Sequence, residues 1–196
     1  MIFDPTEALI DESLFNREDW KHTTYGTCTE QRPANMPKSR GFGFKIRSYV
    51  DSDHAADNIT RQSRTGFLVY LNSAPVYWTS KKQGSIETSP FGSEFIALKN
   101  CCEYLRGLQY KMRMMGIPCN YSSYVFGDNE PVLINSSNPF SLLKKKLSSI
   151  AYHFVRENVA KDECRVAYIN THDNVSDMLT KPLVGGEKRL KFIKMV

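Results

Sequence analysis

Beyond residue 41, apolar and polar positions fall into short alternating runs and longer helical ones. "FGFKIRSYVDSD" alternates, is rich in aromatic and β-branched residues, and predicts a strand ending near Asp51. "TGFLVYLNSAPVYWTSKKQ" predicts a hairpin, with strands over 66–71 and 76–80 and a turn at Asn72-Ser73-Ala74-Pro75. In "SPFGSEFIALKNCCEYLRGLQYKMRMMGIP", Ile96, Cys101, Leu105, Leu108, Met112 and Met115 recur at helical spacing until Gly116 and Pro118 stop the helix. "YSSYVFGDN" predicts a short strand ending at Asp128, and "EPVLINSS" a short helix. "SLLKKKLSSIAYHFVRENVAKDE" predicts a longer helix and "CRVAYIN" a last strand, while "NVSDMLTKPL" and "EKRLKFIKM" predict short helical ends. An opening strand and two hairpin-connected strands, followed by strands alternating with helices, imply an α/β chain. Its sheet is mixed, with an antiparallel half, a parallel half and helices on its faces.

Residues 1–40 differ. "TEQRPANMPKSRG" has two prolines and little periodicity, so this stretch reads as an arm or linker, with one short helix in "TEALIDESLFNREDW". The organisation expected is an arm over 1–40, a domain over 41–183 and a basic tail over 184–196.

With 196 residues and 41% hydrophobic content, the chain can bury the core of one domain. No apolar run approaches the ~20 residues of a membrane helix. The acidic start "MIFDPTEALIDESLF" does not read as a signal peptide, so the expected location is intracellular. Five cysteines without a C-x-x-C spacing argue against a disulfide framework or a zinc site, and Cys101 and Cys102 read as buried thiols. The net charge of +5 is uneven, because residues 1–40 hold seven acids and five bases and the rest carries the positive excess. A basic body suits a polyanion such as nucleic acid, and equally an ordinary lysine-bearing surface.

Four acids occupy comparable places. Asp51 ends the first strand, Glu94 lies in the first turns of the long helix, Asp128 ends the fourth strand, and Asp177 opens a helix after the fifth. Strand ends of an open sheet form one rim, where ligands bind. Clustered carboxylates repel unless a cation neutralises them, and an all-oxygen set suits Mg²⁺ or Mn²⁺. Two such ions clamp the entering and leaving oxygens of a phosphodiester displacement. Each acid also has a plain reading. Asp128 and Asp177 could be turn or helix-cap residues, Glu94 an early-helix acid, and Asp53 competes with Asp51 on the same strand face.

The segments "YVDSDHAAD", "RQSRTGFLVYLN", "YWTSKKQGSIETSPFGSEFIAL", "VFGDNEPVL", "AYHFVRE" and "SDMLTKPL" occur in the order found in one family. Over residues 45–183 the chain resembles the ribonuclease H domain at the end of the Pol polyprotein of Ty1/copia-type LTR retrotransposons. The resemblance implies the ribonuclease H-like fold, a mixed five-stranded sheet with three antiparallel strands, then parallel strands, and helices on both faces. It implies cleavage of the RNA strand of RNA–DNA hybrids with two Mg²⁺ (or Mn²⁺) ions held by Asp51, Glu94, Asp128 and Asp177. A loop histidine before the last acid often accompanies such sites; the resemblance implies that role for His172, five positions before Asp177, which reads equally as a solvent-exposed loop residue. His153 of "AYHFVRE" reads as structural. Glu130-Pro131 stands where relatives have Gln-Ser.

Candidate nucleic-acid contacts are Ser93, Asn129 and Asn170 near the rim, which read equally as turn residues. Lys144, Lys145 and Lys146 form a basic run, and the 181–196 segment holds five bases and one acid. The implied partners are an RNA–DNA hybrid and the reverse transcriptase part of the same polyprotein. The implied setting is the cytoplasm, in a virus-like particle, and the nucleus. The rival reading is a catalytically inactive nucleic-acid-binding or interaction remnant. An integrase-like core, with acids in the order D, D, E, does not match the D, E, D, D order here.

Overall fold

The computed structural model describes residues 35, 41, 43–138, 140–141, 149–182 and 186–195. The arm over 1–40, apart from Asn35, and Lys144, Lys145 and Lys146 lie outside the described residues. The five strands are β1 (Ile46–Asp53), β2 (Arg64–Leu71), β3 (Ala74–Lys82), β4 (Ser123–Gly127) and β5 (Cys164–Tyr168). The helices are α1 (Pro90–Met114), α2 (Glu130–Ser137), α3 (Ser149–Ala160), α4 (Asp177–Thr180) and α5 (Glu187–Met195). None of the described helices is long and apolar enough to cross a membrane.

The strands lie in the order β3-β2-β1-β4-β5. β1 pairs antiparallel with β2 and parallel with β4, and β4 pairs parallel with β5. The expected mixed sheet is therefore present. Alternation along the strands sends side chains to two faces, each with its own core. Val50, Phe67, Val69, Val125 and Val166 pack with α1, α2 and α3, where Phe95, Leu98, Leu105 and Val155 are fully buried. Tyr49, Leu68, Tyr70, Phe126 and Ala167 face the other way and pack with Ile169, Val175 and Phe192. Cys101 and Cys102 are buried in the first core, as their spacing predicts, and burial pushes the Cys101 thiol up to about 12.

Two expectations need correction. The hairpin turn is tighter than Asn72–Pro75, because only Asn72 and Ser73 lie between the strands. Asn72 adopts a left-handed φ of +54°, and its side-chain oxygen accepts from the Lys45 backbone N–H at 3.0 Å. Pro75 lies inside β3, opposite Tyr70 at a register irregularity. A proline is tolerated there because β3 is an edge strand, paired only with β2, and the register is irregular at this point. The second correction concerns the C-terminal tail. Glu187–Met195 is a helix whose Phe192 is fully buried in the second core, so this basic segment is part of the folded unit.

Candidate active site

The rim where β1 and β4 end gathers the acids. β1 carries Asp51 two residues before its end, and Asp128 follows Gly127, the last residue of β4. Because β1 and β4 run parallel, both acids emerge at the same edge. Glu94 comes from the first turns of α1. That helix starts where it does because Ser89 caps it, accepting from the Gly92 N–H at 3.3 Å, with Pro90 at the first helical position. Gln83 then ties the helix start to the sheet, donating to Thr65 Oγ1 at 2.9 Å and to the Ser93 carbonyl at 2.8 Å. One carboxylate oxygen each from Asp51, Glu94 and Asp128 lies within 4.8 Å of the others.

The cost of this convergence appears in the protonation equilibria. Burial, then the neighbouring Asp177 and Asp128, push Asp51 up to about 6, against the opposing hydrogen bond from Thr180 and the charge of Lys181. Glu94 is raised well above the ordinary carboxylate range by burial and by Asp51 and Asp128. A divalent cation is the chemically natural relief for three carboxylates so placed, and the all-oxygen donor set fits a hard ion.

Asp177 stands apart from this trio. It is buried, but its carboxylate meets two ammonium groups. Lys181 donates to its Oδ1 at 2.9 Å, and Lys188 of α5 binds its Oδ2. Lys181 also reaches Asp51, at 3.3 Å from Oδ1 and 3.2 Å from Oδ2, so it bridges the first and last acids. Partial burial opposes the charge on Lys181, but Asp51 and Asp177 outweigh it and raise this lysine above its ordinary range. The quartet expected from sequence is thus a trio plus a fourth acid linked to it by a lysine.

Short-range contacts hold this arrangement. Thr180 donates its hydroxyl to Asp51 Oδ2. Asn174, fully buried, donates to the Val50 carbonyl at 3.0 Å and accepts from the Ser176 hydroxyl at 2.5 Å, which fastens the loop before α4 to β1. Gly66 faces Asp51 across the β1–β2 ladder. A Cβ there would fall 2.6 Å from Thr180 Cγ2 and 2.8 Å from Leu179 Cβ, so glycine lets α4 seat on β2. Sequence reading missed Gly66, Asn174, Thr180 and Lys181. The available signal was that Thr180 and Lys181 follow Asp177 by three and four residues, on its side of a helical turn.

The remaining candidates separate. His172 is exposed, on a turn where its N–H donates to Asn170 Oδ1 at 2.9 Å. Asn170 is thereby a turn residue, although it stays exposed. Asn129 caps α2, accepting from the Val132 N–H at 3.3 Å. Ser93 is corrected outright. It is fully buried, accepts from the Ser52 hydroxyl at 3.0 Å and donates to the Pro90 carbonyl at 2.9 Å, so it joins α1 to β1 and cannot touch a ligand. His153 is exposed and stands edge-on to the Tyr152 ring.

Solved structures share the architecture. The N-terminal RNase H domain of rv2228c from Mycobacterium tuberculosis aligns with a TM-score of 0.53 and 14% identity over 70% of this chain and 91% of that one. LC11-RNase H1, solved in complex with an RNA/DNA hybrid, aligns with a TM-score of 0.54 and 16% identity over 69% and 94%. No family model matches the chain. The fold is that of the ribonucleases H.

In sequence the chain is 31% identical over 144 residues to the Retrovirus-related Pol polyprotein from transposon RE2 of Arabidopsis thaliana, across 74% of its own length. It spans about a tenth of the length of the retrotransposon Pol polyproteins it matches. The protein is a ribonuclease H-fold relative of retrotransposon Pol polyproteins.

Proposed function

We propose that the protein is a divalent-cation-dependent endoribonuclease that hydrolyses the RNA strand of RNA–DNA hybrids, as the ribonuclease H part of a retrotransposon Pol polyprotein. The observation that carries this reading is the convergence of Asp51, Glu94 and Asp128 within 4.8 Å at the rim of a ribonuclease H fold. Those three residues, with Asp177, would hold Mg²⁺ or Mn²⁺, one or two ions. When bound, such ions stabilise the charge that develops on the attacking and leaving oxygens of a phosphodiester.

The chain's own groups supply the preorganisation. Thr180 fixes one oxygen of Asp51. The Ser52 backbone favours the charged form of Glu94, against the burial that raises it. The Asn129 cap sets the chain direction directly after Asp128. Strand choice would come from the A-form-like shape and the 2′-hydroxyls of the hybrid, with exposed polar groups such as Asn170 beside the rim. The reverse transcriptase part of the polyprotein is the proposed partner, and the proposed setting is a cytoplasmic particle. Incubation of the protein with a labelled RNA–DNA hybrid and Mg²⁺, beside an Asp128→Asn variant, tests this. Cleavage of the RNA strand by the parent alone supports it, and binding without cleavage by either variant overturns it.

One observation favours the second reading, an inactive nucleic-acid-binding remnant: Asp177 is already neutralised by Lys181 and Lys188. Under that reading the hybrid is bound and left intact whatever cation is added.

A further inference from the structure

The two sides of the acid cluster are charged differently. Asp51 and Asp177 share the ammonium of Lys181, 3.2 Å from Asp51 Oδ2 and 2.9 Å from Asp177 Oδ1. The second oxygen of Asp177 belongs to Lys188, on a helix anchored by the buried Phe192. Two carboxylates and two ammonium groups sum to zero here. Among the described residues, no ion pair holds Glu94 or Asp128. A dication approaching the rim is therefore drawn first to Glu94 and Asp128, and gains no net attraction from the Asp51–Asp177–Lys181–Lys188 set.

We infer that Lys181 is a built-in counter-cation that holds the place between Asp51 and Asp177. A first divalent ion is held by Glu94 and Asp128, which no ammonium among the described residues pairs, and shares Asp51 with Lys181, whereas a second, between Asp51 and Asp177, is taken up only by displacing this ammonium. This rests on the cation-dependent reading above. Displacement is sterically open, because the Lys181 side chain is 39% exposed and has a flexible four-carbon stem that can swing to water. It is also electrostatically graded, because Lys188 remains on the far oxygen of Asp177 after Lys181 leaves. A displaced ammonium at the rim would be free to meet a phosphate of the substrate. Lys181 is on this view a positioning residue, which sets when the second ion binds.

The test is calorimetric titration of Mn²⁺ into the chelator-stripped full chain, with circular dichroism as a check on folding. Lys181→Met should tighten uptake of the second ion by about tenfold, the scale on which neighbouring groups tune metal affinity. Lys181→Arg, which keeps the charge, should behave as the parent. Lys188→Met, which leaves Phe192 in place, should shift the second ion in the same direction by less, and it serves as the probe should Lys181→Met not fold. Parent-like affinity and stoichiometry in both methionine variants, or weaker uptake in either, would overturn the inference while leaving the cation-dependent reading intact. No Mn²⁺ uptake by the parent or any variant would overturn both.

Discussion

Two carboxylates of the same rim, Asp128 and Asp177, show how far neighbours decide what an acid does. Asp128 follows a strand end and faces Asp51 and Glu94, so its surroundings add negative charge. Asp177 opens a helical turn and faces Lys181 and Lys188, so its surroundings cancel its charge. The first arrangement stores repulsion that a cation can relieve. The second is already relieved, and an incoming ion there must compete. Identical side chains, both near an element boundary, thus differ through the residues that tertiary packing brings to them.

The widest separation should come from Asp128→Asn. Cation uptake by the trio should fall, and hybrid cleavage should drop by about a thousandfold, the scale of losing a preorganised charge-stabilising group. The thermal midpoint in chelator should stay level or rise, because one repelling charge is gone. A lower midpoint would mean that Asp128 is structural. Phe192→Ala probes the other side. It should cost about 3–5 kcal/mol in denaturant unfolding and free Asp177 from Lys188, whereas an unchanged midpoint would show that α5 is not seated.

The pH dependence comes next. Asp51 has an ordinary value of 3.8 and is raised to about 6 in the folded chain. Between those values the folded state holds the proton more tightly than the unfolded one, so the contribution of this group is greatest below about 4 and is lost as pH rises through about 6. The stability of the metal-free parent relative to Asp51→Asn should therefore fall by about 3 kcal/mol across that window. Mg²⁺ should flatten the slope, and a difference that rises with pH would contradict the assignment. The smallest effect is expected from Gly66→Ala, about 1–3 kcal/mol from overpacking against Thr180 and Leu179. It should be accompanied by a weaker grip of Thr180 on Asp51, seen as a shift in the pH at which the midpoint changes.

Much of this molecule was legible before its coordinates, for a physical reason that also explains the gaps. Strands such as Ile46–Asp53 and a 25-residue helix such as Pro90–Met114 are written in periodicity, which a single sequence displays. The acids at their ends could be listed from the same boundaries. Pro75 reads as a turn residue because proline usually punctuates, and its acceptance in β3 depends on that strand lying at the sheet edge. Ser93 reads from sequence as a polar residue near the rim, and as such a candidate contact. Its burial follows from Ser52 and Gln83 packing over it, contacts that span 41 and 10 residues. The bridging by Lys181 was out of reach for the same cause, since its partner Asp51 lies 130 residues earlier in the chain.

The parallel pairing of β1 with β4 has a consequence for how such a chain tolerates change. Side chains along a strand alternate between faces with a period of two. Inserting or deleting a single residue within β4 would leave its hydrophobic content intact, yet exchange Val125 and Phe126 between the two cores and turn Asp128 from its companions. Gains and losses of chain length should therefore survive selection in the connections between elements and be purged from the strands that lead to the rim.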